Sequence, residues 1–114
     1  MTEIYKGTGW SRTYVGFCEN GEIYEGSGWG KTLIGTYTND GEIYKGTGWS
    51  KSQIGSFDRG DVYKGTGWGR SSIGVYKSGD IYEGTGLSKT CIGEYKGYDD
   101  GAAAAALLLL FNRN

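Results

Sequence analysis

Polar and apolar residues alternate along most of this chain, in short runs separated by glycine-rich stretches. In residues 3–6 the apolar Ile4 stands between Glu3 and the amphipathic Tyr5, and residues 34–37 are rich in β-branched and aromatic side chains. A period of two is typical of strands with one buried face. Asn20-Gly21 and Asp40-Gly41 stand between such runs and favour hairpin turns, because Asn, Asp and Gly accept positive φ at little cost. The pattern therefore predicts an antiparallel meander of short strands.

One unit of 19 or 20 residues occurs five times. Each copy reads acid, Ile or Val, Tyr, Lys or Glu, Gly, Thr or Ser, Gly, and then Trp or Leu. A short basic stretch follows, then Ile or Val, Gly and, in most copies, an aromatic residue two positions later. Self-similarity at a fixed period indicates a repeat architecture, and two strands per unit give about ten strands. The copies begin at Glu3, Glu22, Glu42, Asp61 and Asp80.

Alternation also assigns faces to the strands. It places Ile4 and Trp10 on one face and Tyr5 and Gly7 on the other, so that one face carries Ile and Trp and the opposite face Tyr and Gly. Glycine weakens a strand unless a neighbour fills the space above it. We therefore expect Tyr rings to stack over the glycines. A bulge at Gly-Thr-Gly, which would reverse the facing of Trp, stays open as the alternative.

The tail after the repeats has a different character. Residues 102–110 are five alanines followed by four leucines, and Phe111 closes the run. Ala and Leu are strong helix formers, and Asp99 or Asp100 can cap the start. The run gives about 15 Å of helix, roughly half of a bilayer's hydrocarbon core, so we expect no transmembrane segment. A helix that is apolar on every side favours burial against or inside the sheet; contact with a second chain and insertion into a membrane surface are the alternatives.

The predicted fold class is all-β, with tandem β-hairpin repeats in residues 1–98 and a helical tail in residues 99–114. We expect the antiparallel meander to be curled or closed into a barrel-like shape, because closure removes exposed strand edges. The short apolar helix would then pack against or inside the sheet. An open single-layer sheet with the helix across one face is the alternative.

Composition and charge narrow the function classes. The chain has 23 glycines, 17 aromatic residues (10 Tyr, 4 Trp, 3 Phe) and no proline, which is not the profile of a disordered chain. A formal net charge of -1 gives no global field that would attract nucleic acid. Residues 1–6 contain no basic region followed by an apolar stretch, so we predict no signal peptide and a cytoplasmic location.

Catalytic chemistry has little support in this composition. Histidine is absent, and Cys18 and Cys91 form no Cys-x-x-Cys pair, so we expect neither a disulfide nor a metal site. The carboxylates that open the five units are copies of one another, whereas an active site needs dissimilar groups that converge. We therefore predict a protein without enzymatic activity and without a cofactor.

The unit resembles a known repeat family. Gly21-Glu22-Ile23-Tyr24-Glu25-Gly26, followed by Trp29 and by Gly35-Thr36-Tyr37, is similar to the membrane occupation and recognition nexus (MORN) repeat, and the likeness extends from residue 3 to about residue 98. The resemblance implies consecutive hairpins in one extended antiparallel sheet. It also implies lipid or protein binding, or a scaffolding role.

The loop after each first strand is the candidate site. Each carries Trp or Leu, then a cation two residues later, then Thr or Ser, a combination that suits an anionic, sugar-bearing or membrane-interface ligand. Against this, Trp is highly buried on average, which favours core indoles and merely solvating cations. The candidate residues are Trp10, Arg12, Trp29, Lys31, Trp49, Lys51, Trp68, Arg70 and Lys89.

Three functions follow from these expectations. The first is a module for protein interaction or scaffolding, with self-association through the apolar tail as one route. The second is a lectin-like module with one shallow site per unit for a glycan or an anionic ligand. The third is binding to a lipid surface. Solvent-facing Trp rings favour the second function, and buried rings exclude it.

Overall fold

The computed structural model describes residues 1–111 and is a closed, ten-stranded antiparallel barrel. Each strand pairs with its neighbours in the chain, and β1 (Thr2–Lys6) closes the barrel on β10 (Thr90–Lys96). The predicted barrel-like meander is confirmed, and the open sheet is excluded. The last three residues of the predicted tail lie outside the described residues. The other strands are β2 (Thr13–Glu19), β3 (Glu22–Glu25), β4 (Thr32–Tyr37), β5 (Glu42–Lys45), β6 (Ser52–Asp58), β7 (Asp61–Lys64), β8 (Ser71–Lys77) and β9 (Asp80–Glu83).

Tight hairpin turns join one unit to the next at one end of the barrel. In the first of them Asn20 and Gly21 have φ of 53° and 83°, and in the third Arg59 and Gly60 have φ of 49° and 92°. Two successive residues with positive φ match the right-handed twist of the flanking strands. Glycine adopts the second positive φ without steric cost, whereas Arg59 adopts the first positive φ at a cost that Asn largely avoids.

A bulge in the second strand of each unit determines which side chains face inward. Ile4 lies opposite Gly16 whereas Tyr5 lies opposite Tyr14, so that Val15 is the extra residue. The bulge shifts the alternation by one position. Ile4 and Gly16 therefore both face the interior, and Tyr5 faces outward. The predicted pairing of Tyr with Gly on one face and Ile with Trp on the other is wrong.

The tail lies inside the barrel. Helix α1 (Asp100–Ala106) enters at the end where the hairpin turns lie, and residues Leu107–Phe111 continue it as a π-helix. Ala102 to Ala106 are at most 1% exposed. Near its start, Gly101 lies against the rings of Phe57 and Tyr76, which a Cβ atom at this position would meet at 2.8 Å or less. The tail thus carries its smallest residues where the barrel wall carries rings.

Each large side chain of the tail contacts a different unit of the barrel wall. A π-helix bonds residue i to residue i+5, so five successive side chains go about once around the axis. Each of them covers the inward-facing glycine of a different unit, and the predicted stacking of Tyr rings over these glycines is therefore wrong. The pairs are Leu107 with Gly93, Leu108 with Gly74, Leu109 with Gly55, Leu110 with Gly35 and Phe111 with Gly16.

Polar contacts fix the start of the helix to the closing strands. The Asp100 carboxylate accepts a hydrogen bond from the adjacent Gly101 N–H at 2.7 Å, and the helix start has no side-chain cap, so the predicted cap is not formed. Asp99 makes no side-chain cap; its carboxylate accepts a bond from the Tyr37 hydroxyl at 3.0 Å, and its N–H donates to Thr2 Oγ1 at 2.9 Å. The helix entry is therefore tied both to β1 and to β4.

Burial of the tail also bears on its predicted contact with a second chain. From Ala102 to Phe111 only Leu109 and Phe111 are partly exposed. The barrel itself therefore already covers most of the surface through which the apolar tail was expected to contact a second chain, and self-association by this route stays a prediction. Within residues 1–111 no helix has the length and apolarity needed to cross a membrane.

The two cysteines are free, and they differ in burial. Cys18 is 0% exposed, and burial raises the pKa of its thiol to about 12. Cys91 is half-buried, and burial raises its thiol pKa as well. Only the thiolate reacts with electrophiles, and a thiol reagent reaches Cys18 only when the barrel opens.

We expect a colorimetric thiol reagent at pH 8 to modify Cys91 slowly and to leave Cys18 unmodified in the folded protein. The Cys91→Ser variant should show no reactive thiol until denaturant is added, and then one. Equal reaction rates for the two thiols of the folded wild type would contradict the closed barrel.

Candidate functional site

The strands of each unit are joined by a short turn that we call the tip turn, at the barrel end opposite the hairpin turns. The chain leaves β1 through Gly7 and Gly9, with φ of 88° and 57°. A Cβ at Gly7 would lie 3.1 Å from the carbonyl oxygen of Ser11, so both the backbone angle and the close approach require glycine. A single 3-10 turn then returns the chain to the next strand. The tip turns are Gly9–Ser11, Gly28–Gly30, Gly48–Ser50, Gly67–Gly69 and Gly86–Ser88.

The tip turns present their central residues entirely to solvent. The four Trp side chains are 105% or 106% exposed, and Leu87, at the same position of the fifth unit, is 108% exposed. The expectation that the Trp residues belong to the core is wrong. The two positive-φ glycines end the strand before the Trp is reached, so the strand alternation does not extend to it. The spacing Gly-x-Gly directly before Trp is the signal that indicates such a turn.

The cations that follow the Trp residues are held over tyrosine rings. The guanidinium carbon of Arg12 lies 4.1 Å from the ring centroid of Tyr5, and that of Arg70 lies 4.2 Å from Tyr63. The three lysines lie over their Tyr rings at 4.8 or 4.9 Å. A cation–π contact at an exposed site contributes about 0.5–1 kcal/mol. The cations therefore have fixed positions rather than serving only to solvate the loops.

The tyrosines of the first three units also bind the acid that opens their unit. The hydroxyl of Tyr5 donates to the Glu3 carboxylate at 2.8 Å, and that of Tyr44 donates to Glu42 at 3.0 Å. The hydrogen bonds to these carboxylates raise the pKa of both tyrosines. The outer wall of these units thus carries a row of carboxylate, phenol ring and cation that leads to the tip turn.

One seam between units is closed by an ion pair. We call seam the pairing of the second strand of one unit with the first strand of the next, and in the barrel the fifth unit meets the first. Across that seam the Glu94 carboxylate lies 2.6 Å from Arg12 Nη1 and accepts a bond from the Gly9 N–H at 3.2 Å. Hydrogen bonding to Arg12 lowers the pKa of Glu94. Gly9, Trp10, Arg12 and Glu94 line a shallow cleft of about 530 Å³ here.

A second cleft lies at the seam between the third and fourth units. It is open to solvent and has a volume of about 490 Å³. One side comes from the tip turn of the fourth unit, and the other from β5 and β6 of the third. Its lining residues are Asp40, Glu42, Gln53, Ser56, Thr66, Gly67, Trp68 and Arg70.

The structure therefore places all nine candidate residues on the surface, one tip turn per unit, in a ring around one end of the barrel rather than in a single cluster. Sequence comparison missed Glu94 and Ser56. They share a position of the second strand that differs in every unit, with Phe17, Thr36, Ser56, Val75 and Glu94. Variability at one position within an otherwise regular repeat is the signal that points to them.

No arrangement for metal binding is present in the part of the chain that the structure describes, where no three Cys, Asp or Glu side chains are close enough together to hold an ion. The repeated acids instead bond to tyrosines, and Glu94 bonds to Arg12. What the surface offers a ligand is indole faces, fixed cations, hydroxyls and carboxylates.

Comparisons with known protein families, with curated proteins and with solved structures found no match to this chain. The resemblance of its unit to the MORN repeat stays a prediction.

Proposed function

We propose that this protein is a non-enzymatic, carbohydrate-binding module with one shallow site at each Trp-bearing tip turn. The observation that carries the proposal is the complete exposure of four indole rings beside cations that are fixed over tyrosines. A Trp ring combines a large apolar face with a polar edge. The C–H face of a sugar ring can stack on the indole while its hydroxyls bond to the neighbouring polar groups.

The exposed indoles do not contribute to the stability of the barrel, and this supports a role in binding. A side chain at full exposure buries no apolar surface, so Trp stabilises the barrel no more than a polar residue would. Exposed apolar surface that is rimmed by polar groups marks interaction sites. The five copies of the outer wall also lack the convergence of dissimilar groups that catalysis requires, and this supports a binding role over an enzymatic one.

Protein interaction or scaffolding is the second candidate. Leu87 favours it, because a fully exposed aliphatic side chain in the same ring offers little to a sugar but suits an apolar protein surface. Trp, Leu and basic residues at one end of the barrel would equally suit a lipid surface, and the experiment must separate these three ligand classes.

The test is a glycan array with the wild type, followed by titration of the strongest glycan. Trp10→Ala, Trp29→Ala, Trp49→Ala and Trp68→Ala should each weaken binding at their own tip turn by about tenfold, the equivalent of about 1.4 kcal/mol. Leu87→Ala, at the matching position without a ring, should bind the glycan as the wild type does. Trp fluorescence supplies the readout, since stacking moves exposed indoles out of water.

Two results would overturn the proposal. One is an array without any bound glycan, and the other is glycan binding that survives the combined substitution of all four Trp residues by alanine. Binding to phosphatidylserine vesicles, or a concentration-dependent dimer in light scattering, that is lost in Leu87→Ala would instead support the lipid or the protein function.

A further inference from the structure

We propose that the cleft between the third and fourth units binds the carboxylate of an acidic sugar, at the position that the Glu94 carboxylate occupies between the fifth and first units. This inference rests on the proposed carbohydrate-binding function and names the ligand class for one of its sites. The seam between the fifth and first units serves as the reference, because it holds a carboxylate. The seam between the third and fourth units has the same hydrogen-bonding groups but no carboxylate bound to them.

The closed seam shows what the tip turn does with a carboxylate. Glu94 reaches across to the first unit and bonds to both the Gly9 N–H and the Arg12 guanidinium. A carboxylate that accepts hydrogen bonds from a backbone N–H and from an arginine forms charge-assisted bonds, which are among the stronger hydrogen bonds in proteins. The carboxylate lies beside Trp10, which lines the same cleft.

The open seam presents the equivalent partners. Gly67, Trp68 and Arg70 line its cleft in the positions that Gly9, Trp10 and Arg12 take in the first unit. The two guanidinium groups are also placed alike, at 4.2 and 4.1 Å from their tyrosine rings. Among residues 1–111, neither the Gly67 N–H nor the Arg70 guanidinium meets a protein carboxylate.

Ser56 occupies the position of Glu94 in this seam. Ser56 pairs with Glu42 on one side and Tyr63 on the other, as Glu94 pairs with Asp80 and Tyr5. Serine is too short to reach across the seam as Glu94 does. The volume that a longer acidic side chain would fill is part of the open cleft, and a carboxylate from outside can enter it.

The other three seams lack this combination. Their tip turns carry lysine, which binds a carboxylate as a point charge, whereas the planar fork of arginine binds it with two parallel bonds. The equivalent positions hold Phe17, which stacks on Tyr24 at 4.9 Å, then the buried hydroxyl of Thr36, and Val75. We therefore assign acid recognition to the seam of the third and fourth units alone.

The remaining lining residues select a sugar rather than a simple anion. Asp40 and Glu42 contribute negative charge to the cleft, and because repulsion rises with the charge of the ligand, this disfavours sulfated or phosphorylated ligands with several charges more than a ligand with one carboxylate. A carboxylate accepts hydrogen bonds from hydroxyls, and Gln53 and Thr66 add further polar groups. A ligand with one carboxylate, several hydroxyls and an apolar ring face for Trp68 fits this lining.

The experiment compares three probes by calorimetry: a hexuronic acid oligosaccharide, its methyl ester, and the neutral oligosaccharide of the same linkage. The wild type should bind the acid at one site at least tenfold more tightly than the ester. Ser56→Glu should abolish that preference, because the new carboxylate occupies the place of the ligand's own. Glu94→Ser should add a second acid-binding site, since it frees Gly9 and Arg12.

Val75→Glu is the matched control, because it adds the same charge at the equivalent position of another seam, whose tip turn carries Leu87 and Lys89. It should leave the acid preference unchanged. Glutamate is already accepted at this position in the fifth unit, so all the variants should fold, and circular dichroism with thermal unfolding checks that they do.

The outcomes separate the two proposals. Equal binding of acid and ester, with loss of both in Trp68→Ala, overturns the acid assignment and leaves the carbohydrate-binding function standing. Retention of the acid preference in Ser56→Glu, or an unchanged stoichiometry in Glu94→Ser, overturns the assignment as well. Absence of binding by all three sugars, with an acidic peptide bound in a Ser56-dependent way, overturns both.

Discussion

Substituting Gly55 with alanine is expected to lower the free energy of unfolding by about 3 kcal/mol, at the upper end of the cost of overpacking a core. The new Cβ would lie 2.7 Å from Leu109 Cδ1 and still closer to the carbonyl oxygen of Tyr63. The end of the Leu109 side chain can move, but the carbonyl belongs to the ladder between β6 and β7. The barrel wall itself must therefore shift, at a cost that is a large part of the ~5–15 kcal/mol of a typical domain.

Urea unfolding followed by far-ultraviolet circular dichroism measures this effect. Gly69→Ala is the control, because nothing lies within 4 Å of a Cβ at this position; we expect a change within about 0.5 kcal/mol. The double variant with Leu109→Ala should not recover the stability, since the carbonyl clash remains. Equal midpoints for Gly55→Ala and Gly69→Ala would be incompatible with an inward-facing Gly55.

Substituting Leu107 with alanine should cost about 3 kcal/mol, within the range for leucine removed from a core. Leu107 is 0% exposed, and it covers the bare backbone of Gly93. Because the wall has a glycine at this point, no neighbouring side chain can move in to fill the cavity. The loss should therefore not fall at the low end of that range.

The chain contains its own control for this substitution. Leu87→Ala makes the same chemical change at a side chain that is 108% exposed, and we expect a change within about 0.5 kcal/mol. Thermal and urea unfolding of the two variants should differ accordingly. A stability for Leu107→Ala as high as that for Leu87→Ala would mean that the tail does not fill the barrel.

The hairpin architecture could be predicted because its signals are local. Asn20-Gly21 and the pattern of residues 3–6 define a turn and a strand without knowledge of the rest of the chain. The facing of the second strand could not be predicted, since a single bulged residue such as Val15 shifts it by one position. Trp10 was misplaced for a related reason, because Gly7 and Gly9 were counted as strand residues although both adopt positive φ.

The residues of the candidate site that recur in every unit could be predicted, whereas those that occur in a single unit were missed. Repetition identified the Trp and the cation of each tip turn, since both recur. It did not indicate that Tyr5 lies beneath Arg12, because that contact depends on how the tip turn returns the chain alongside β1. Glu94 and Ser56 were missed because comparison of the units emphasises the residues that the units share. These two residues occupy equivalent positions and are important because they differ.

The correspondence between tail and wall also limits how this chain can change. Repeat arrays vary most simply through gain or loss of a whole unit, yet here the tail offers five large side chains, Leu107 to Phe111, to five inward-facing glycines. A sixth hairpin would widen the barrel and bring a glycine that no tail residue covers, and a four-hairpin barrel would leave one side chain without a recess. The number of units and the number of large side chains in the tail must therefore change together. In this way the tail limits the number of hairpin units that the barrel can contain.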